Sequence, residues 1–118
     1  MAMSSVLKIA FQQEMEKARN SLNQLQHPAA FHHLERAHVL GQRYLLAHLQ
    51  VHLWMLRVGW AQRDLHEMVG QVTRLLLVPL GHLTRRLPLG NTGGANVSAF
   101  RPMPIAQDLD AILQQDKR

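Results

Sequence analysis

Up to about residue 87 the apolar residues of this chain recur at three- and four-residue intervals. That period belongs to amphipathic helices, because it puts successive apolar side chains on one face of a 3.6-residue turn. The stripe Leu7, Phe11, Ala18, Leu22 and Leu25 predicts a first helix over Ser5 to Leu25, with Ser4 or Ser5 able to cap it. His27-Pro28 breaks the pattern. A second helix starts at Pro28, with Ala30, Phe31, Leu34, Ala37, Gly41 and Tyr44 on its inner side. A third is expected over about Leu46 to Ala61. The sequence leaves open whether it continues the second or comes after a kink or short turn near Gly41 to Leu46. Asp64, with Glu67 three residues on, reads as the capping box of a fourth helix over Leu65 to Val78. Its stripe is Leu65, Met68, Val69, Val72, Leu75 and Leu76, and Pro79 should end or kink it. Leu80 to Leu87 fits a short helical turn.

From Pro88 the chemistry changes. Residues 88–96 carry turn signals, Phe100 to Pro104 reads as extended, and Asp108 to Gln115 could form a last short helix docked through Leu109, Ile112 and Leu113. At 118 residues and 47% apolar composition, one domain over 1–118 is expected. The fold class is all-α: antiparallel helical hairpins forming a three- to four-helix bundle. An irregular Gly/Pro-rich C-terminal segment (88–105) packs on it. The spacings Ala30-x3-Leu34-x2-Ala37 and Met68-x3-Val72-x2-Leu75 make the hairpins weakly tetratricopeptide-like, without that repeat's large signature residues.

Composition removes several functions. Without cysteine there are no disulfides, thiolate zinc sites, iron–sulfur clusters or cysteine nucleophiles. Thirteen Lys+Arg against eight Asp+Glu give a net charge of +5, but the basic residues are scattered; only Arg85-Arg86 and Lys117-Arg118 are adjacent. With aromatics at 5%, this argues against a nucleic-acid partner. The apolar run Leu75 to Leu80 is far short of the ~20 residues that span a bilayer. No leader pattern opens the chain, so a cytoplasmic protein without a membrane partner is expected. Ser98 lacks a nucleophile-elbow context.

The residues that could carry chemistry are histidines and carboxylates on apolar faces. His38 falls among Phe31, Leu34 and Leu45 on the second helix, with Glu35 three residues before it. Glu-x-x-His puts two ligands on one side of a helix, as in di-iron and di-manganese bundles, although those use two such motifs and one is present here. His48 and His52 are four apart and share a face, with Met55 three further on. Glu14 sits at the edge of the first helix's stripe. Together Glu14, Glu35, His38, His48 and His52 would make a nitrogen/oxygen site suited to Zn, Fe, Mn, Ni, Co or, with Met55, Cu. The alternative is a polar network that fixes helix packing, with Glu35 and Gln42 as ready partners for His38.

His27, His32, His33, His66 and His82 read as exposed or loop-borne. Glu67, Gln71 and Arg74 read as an exposed helix face, with a polar seam against another helix or subunit as the alternative. The Gly90-Asn91-Thr92-Gly93-Gly94 loop reads as a wrapping turn, with an anion nest as the alternative.

The strings Phe31 to Gln42 (FHHLERAHVLGQ), His48-x3-His52-Leu53-Trp54-Met55-Leu56 and Gly90 to Ser98 (GNTGGANVS) resemble an uncharacterised family of short bacterial proteins, a domain of unknown function. The resemblance runs from about Ala30 to Leu109 and implies no activity. The residues themselves support two expectations. One is a metal-binding protein using the Glu/His cluster, with or without catalysis. The other is a helical interaction module whose histidines only pack. Trp54, Trp60, Leu49 and Leu53, spread around the third helix, would fit a homodimer or a protein partner.

Overall fold

The computed structural model describes residues 2–116; the Lys117-Arg118 pair lies outside them. The described residues form five helices: α1 (Ser5–Asn23), α2 (His27–Gly41), α3 (Leu45–Ala61), α4 (Leu65–Thr84) and α5 (Gln107–Asp116). Among the described residues there is no strand. Three-residue connections separate the first four helices. Such short links make each helix run back along its predecessor, and α1 packs on α2, α2 on α3, and α3 on α4. α5 closes over α1 and α2.

Local chemistry sets the ends. Ser4 Oγ accepts from the Leu7 amide at 3.2 Å and starts α1. The helix stops at Asn23, short of the expected Leu25, because Leu25 itself adopts a left-handed φ of 59°. Residues 42–44 form a turn, so α2 and α3 are two helices. Asp64 Oδ1 caps α4 by accepting from the Glu67 amide at 3.1 Å. The other half of the expected capping box is missing, since the Glu67 carboxylate is engaged by Gln71 and the Ala95 amide.

Pro79 neither ends α4 nor begins a separate turn; the helix runs on to Thr84. Proline removes one donor and crowds the Leu75 carbonyl, a cost of about 3 kcal/mol in a helix interior. Here the ring is exposed, so water can serve that carbonyl. α4 ends at Arg85, which is left-handed with φ 59°.

The core lies between α1, α2, α3 and α5. Leu7, Phe11, Met15 and Ala18 meet Ala30, Leu34, Ala37 and Leu40, then Val51, Met55 and Val58, with Leu109 and Leu113 docking from α5. α4 gives the interior something different. Its stripe of Leu65, Val69, Val72 and Leu76 faces outward, while Gln71, Arg74 and Val78 are buried. The expectation that Gln71 and Arg74 lie on an exposed face is therefore overturned. Both contact residues 90–97, which cover that side of the helix. Among the described residues no helix is long and apolar enough to cross a membrane.

Candidate metal centre

The α2–α3 turn decides where the histidines meet. His38 is three residues before the end of α2 and His48 three residues into α3, so the hairpin brings them face to face. His52 comes one turn later on the same side of α3. All three are buried, with 2%, 4% and 1% of their surface exposed. Their Nε2 atoms converge: His38 Nε2 lies 3.0 Å from His48 Nε2 and 3.1 Å from His52 Nε2. One ligand atom from each of the three falls within 4.8 Å of the others.

The outward ring nitrogens are held by a second layer. His38 Nδ1 is 2.6 Å from the Asn91 carbonyl oxygen, and His52 Nδ1 is 2.7 Å from Gln71 Oε1. Gln71 Nε2 donates to Glu67 Oε2 at 2.7 Å and to the Gly93 carbonyl at 2.9 Å. His48 Nδ1 is 3.0 Å from His82 Nε2. The glycine-rich loop is thus part of the arrangement. Gln42 fixes it, donating to the Pro88 carbonyl at 2.8 Å and accepting from the Gly90 amide at 3.1 Å. The Asn91 side chain donates to the Ser98 and Arg101 carbonyls and accepts from the Gly93 amide at 2.8 Å. Gly93 has φ 86°, and a Cβ there would meet the His38 ring at 2.6 Å, so the loop can lie against the imidazole only as glycine.

These bonds determine protons. A carbonyl oxygen only accepts, so His38 carries its hydrogen on Nδ1. Both Gln71 amide hydrogens go to acceptors, so its oxygen faces His52, which must also be protonated on Nδ1. The neutral rings therefore point bare Nε2 lone pairs at one another across 3.1 Å. Extra protons do not relieve this at neutral pH. Burial, then the charges of His52 and His48, hold His38 well below the ordinary histidine range. Burial, reinforced by His52 and His82, lowers His48 to about 3. Burial lowers His52 to about 4, despite the bond from Gln71. Only His48 can turn a hydrogen inward, and one hydrogen cannot satisfy both contacts.

The other expected ligands lie elsewhere. Glu14 is buried but accepts from His33 Nδ1 at 2.8 Å and from Arg36 Nε at 3.1 Å. Burial alone would raise its pKa; these two bonds outweigh that and hold it below the usual carboxylate range. Arg36 also reaches Asp108, tying α1 and α2 to α5. Glu35 is half-buried, and its carboxyl is raised by burial and then by the nearby Glu67 charge. Met55 lies in the hydrophobic core. Gln42 serves the loop rather than His38.

Sequence reasoning passes over four residues that shape the site. His82 is half-buried on α4 rather than loop-borne. Gln71 and Arg74 share the buried face of α4, and a polar side opposite a strongly apolar one is their signal. Asn91 acts through its backbone carbonyl, which no side-chain pattern announces.

One side of the triad opens onto a cavity of about 340 Å³, walled by Leu77, Val78, Leu80, Leu87 and Phe100. Arg74 also lines it. Its Nη1 donates to the Gly70 carbonyl at 3.1 Å and its Nη2 to the Val97 carbonyl at 2.6 Å, while buried Nε has no partner. Burial lowers its pKa, and the Glu67 charge partly offsets that.

Three buried imidazoles in this arrangement could hold a metal ion or form a polar network. Neither a curated protein nor a solved structure matches the chain. The model of a family described as "Protein of unknown function (DUF3703)" matches residues 5–113, and the chain belongs to that family.

Proposed function

We propose that the protein binds a divalent transition-metal ion through Nε2 of His38, His48 and His52, and that metal handling is its function. The observation that carries this reading is the pair of Nδ1-protonated rings whose bare Nε2 atoms face each other in the interior. A purely structural network would be expected to place a donor opposite each acceptor. Here lone pair meets lone pair, and a cation resolves the conflict. The spacing fits: two nitrogens on one ion at ~2.0–2.1 Å lie roughly 2.9–3.4 Å apart for bond angles from ~90° to tetrahedral. The contacts are 3.0 and 3.1 Å. An all-imidazole set suits Zn, Cu, Fe, Ni or Co better than Mg or Ca. Glu14, engaged by His33 and Arg36, is not part of this proposed shell.

The test is elemental analysis and native mass spectrometry of protein purified without a histidine tag. Stoichiometric metal that disappears in His38→Ala/His52→Ala is the expected result. Metal-free protein that takes up none of Zn, Fe, Co, Ni or Cu would overturn the reading and leave the triad as packing.

A separate observation favours a second reading, self-association. Leu65, Val69, Val72, Leu76 and Leu83 lie on the outer side of α4, and Leu46, Leu53 and Trp60 on that of α3. Leu76 and Leu83 are 76% and 81% exposed. The α4 positions fall at four-, three- and four-residue steps before the last, a seam that helix pairs bury. They carry no charge that a second copy would repel. Two α3–α4 hairpins related by a twofold axis would close this face into a four-helix arrangement. Sedimentation of wild type against Leu76→Glu tests it; a wild-type monomer at high concentration would end this reading.

A further inference from the structure

We propose that the open side of the triad takes a small monocarboxylate with a hydrocarbon body. One carboxylate oxygen would complete the metal's coordination, and the other would accept from the Arg74 guanidinium. This rests on the metal reading above and goes on to the class of ligand the site admits.

The argument is a charge balance. Three neutral imidazoles leave a divalent ion its full charge. Arg74, which lines the same cavity as the three histidines, adds a fixed positive charge. Arg86 also lines the cavity, and no carboxylate does. Among the described residues Arg74 has no ion-pair partner. Two of its five N–H groups go to backbone carbonyls, which fix the guanidinium without neutralising it. A buried cation that is positioned, only partly offset by the Glu67 charge and partly unsatisfied costs free energy that an arriving anion would lower. Arg74 therefore opposes metal binding when the cavity holds only water, and favours it when the cavity holds an anion.

The walls select among anions. Leu77, Val78, Leu80, Leu87 and Phe100 offer hydrocarbon surface, and the volume of about 340 Å³ admits a body of several carbons. Phosphate or sulfate would leave that surface in contact with water. A carboxylate with an aliphatic or aromatic body would cover it, while its planar head matches a guanidinium fork.

The experiment uses the full chain loaded with Co(II), whose visible absorption reports the ligands around it. Benzoate and butyrate are titrated in, with phosphate and butanamide as comparisons. The expected result is a saturable change in the cobalt bands with the two carboxylates and little with the others. Benzoate should also tighten cobalt binding, and by linkage cobalt should tighten benzoate by the same factor. Arg74→Met should bind cobalt at least as tightly as wild type but lose benzoate affinity about tenfold or more, the size of one charge-assisted hydrogen bond. Should that variant fail to fold, Arg74→Lys keeps a charge and loses the fork. Ala99→Phe, which fills the cavity from the tail side, should weaken benzoate while sparing cobalt.

Cobalt that stays bound with bands unmoved by any carboxylate would overturn this inference and leave the metal reading intact. Absence of cobalt uptake would overturn both. An equal response to phosphate and benzoate, or none to Ala99→Phe, would overturn the hydrocarbon-carboxylate assignment.

Discussion

Helices α1 and α4 are nearly the same length, 19 and 20 residues, and each carries a long apolar stripe. They use it in opposite ways. α1 turns Leu7, Phe11, Met15 and Ala18 into the core and leaves its polar side to solvent. α4 turns Gln71, Arg74 and Val78 inward and exposes Leu65, Val69, Val72, Leu76 and Leu83. The difference teaches that a stripe shows which face seeks an apolar partner, not that the partner belongs to the same chain. The inner face of α4 is committed to polar work: Gln71 orients His52, and His82 meets His48.

The contrast can be broken most strongly from the α1 side. Leu34→Ala removes a fully buried side chain beneath α1 and should cost about 2–5 kcal/mol in urea unfolding. Leu76→Ala, equally drastic by composition, should change the stability of a dilute monomer by less than about 0.5 kcal/mol. Comparable costs at the two positions would mean that the α4 face is already covered.

Acid sharpens the contrast on the α4 side. The triad histidines fold with pKa values depressed below the ordinary 6.5, to about 4 for His52 and about 3 for His48. Below pH 6.5 the unfolded chain therefore binds more protons than the folded one. Stability should hold above about pH 6.5 and fall as pH drops toward 4, by up to about 1.4 kcal/mol per pH unit per histidine. Urea melts of metal-free protein at pH 7.5, 6 and 5 would show the slope, and His48→Gln should flatten it.

A smaller effect is expected from the layer behind the triad. Gln71→Ala frees the hydrogen on His52 and leaves the Gly93 carbonyl and Glu67 without one donor. It should cost about 1–3 kcal/mol of stability and about 10–100-fold in metal affinity, read by unfolding and by competition with a chelator. Smallest in stability is Leu76→Glu, expected to shift the melt of dilute protein little and, on the self-association proposed above, to sediment as a monomer where wild type does not.

Much of this architecture is legible in the residues. Three- and four-residue spacing marks α1, α2 and α3, and the shared face of His48 and His52 with His38 nearby marks the triad. The sequence misplaces the end of α1 because a left-handed Leu25 carries no signature in its side chain. Pro79 reads as a breaker because sequence does not reveal that its ring lies on the exposed side of a helix that runs on to Thr84. The inside-out α4 escapes sequence reasoning for a deeper reason: periodicity is unchanged when a helix is rotated by half a turn. Only long-range contacts, such as Gln71 with the Gly93 carbonyl, fix the rotation. Of the carboxylates expected beside the histidines, Glu14 is drawn off by His33 and Arg36.

The loop that rests on His38 also carries a consequence for biosynthesis. A chain leaves the ribosome from its N-terminus, so His38, His48 and His52 emerge long before Asn91 and Gly93. The three imidazoles can come together with α2 and α3 alone, and Gln71 follows on α4, but the Asn91 carbonyl that fixes the His38 tautomer lies 53 residues beyond that ring. A nascent chain arrested near residue 85 would hold the three histidines with Gln71 behind His52 but with the His38 ring unfixed. The orientation of His38 would be acquired last, when the segment from Pro88 onward folds back over α2 and α4.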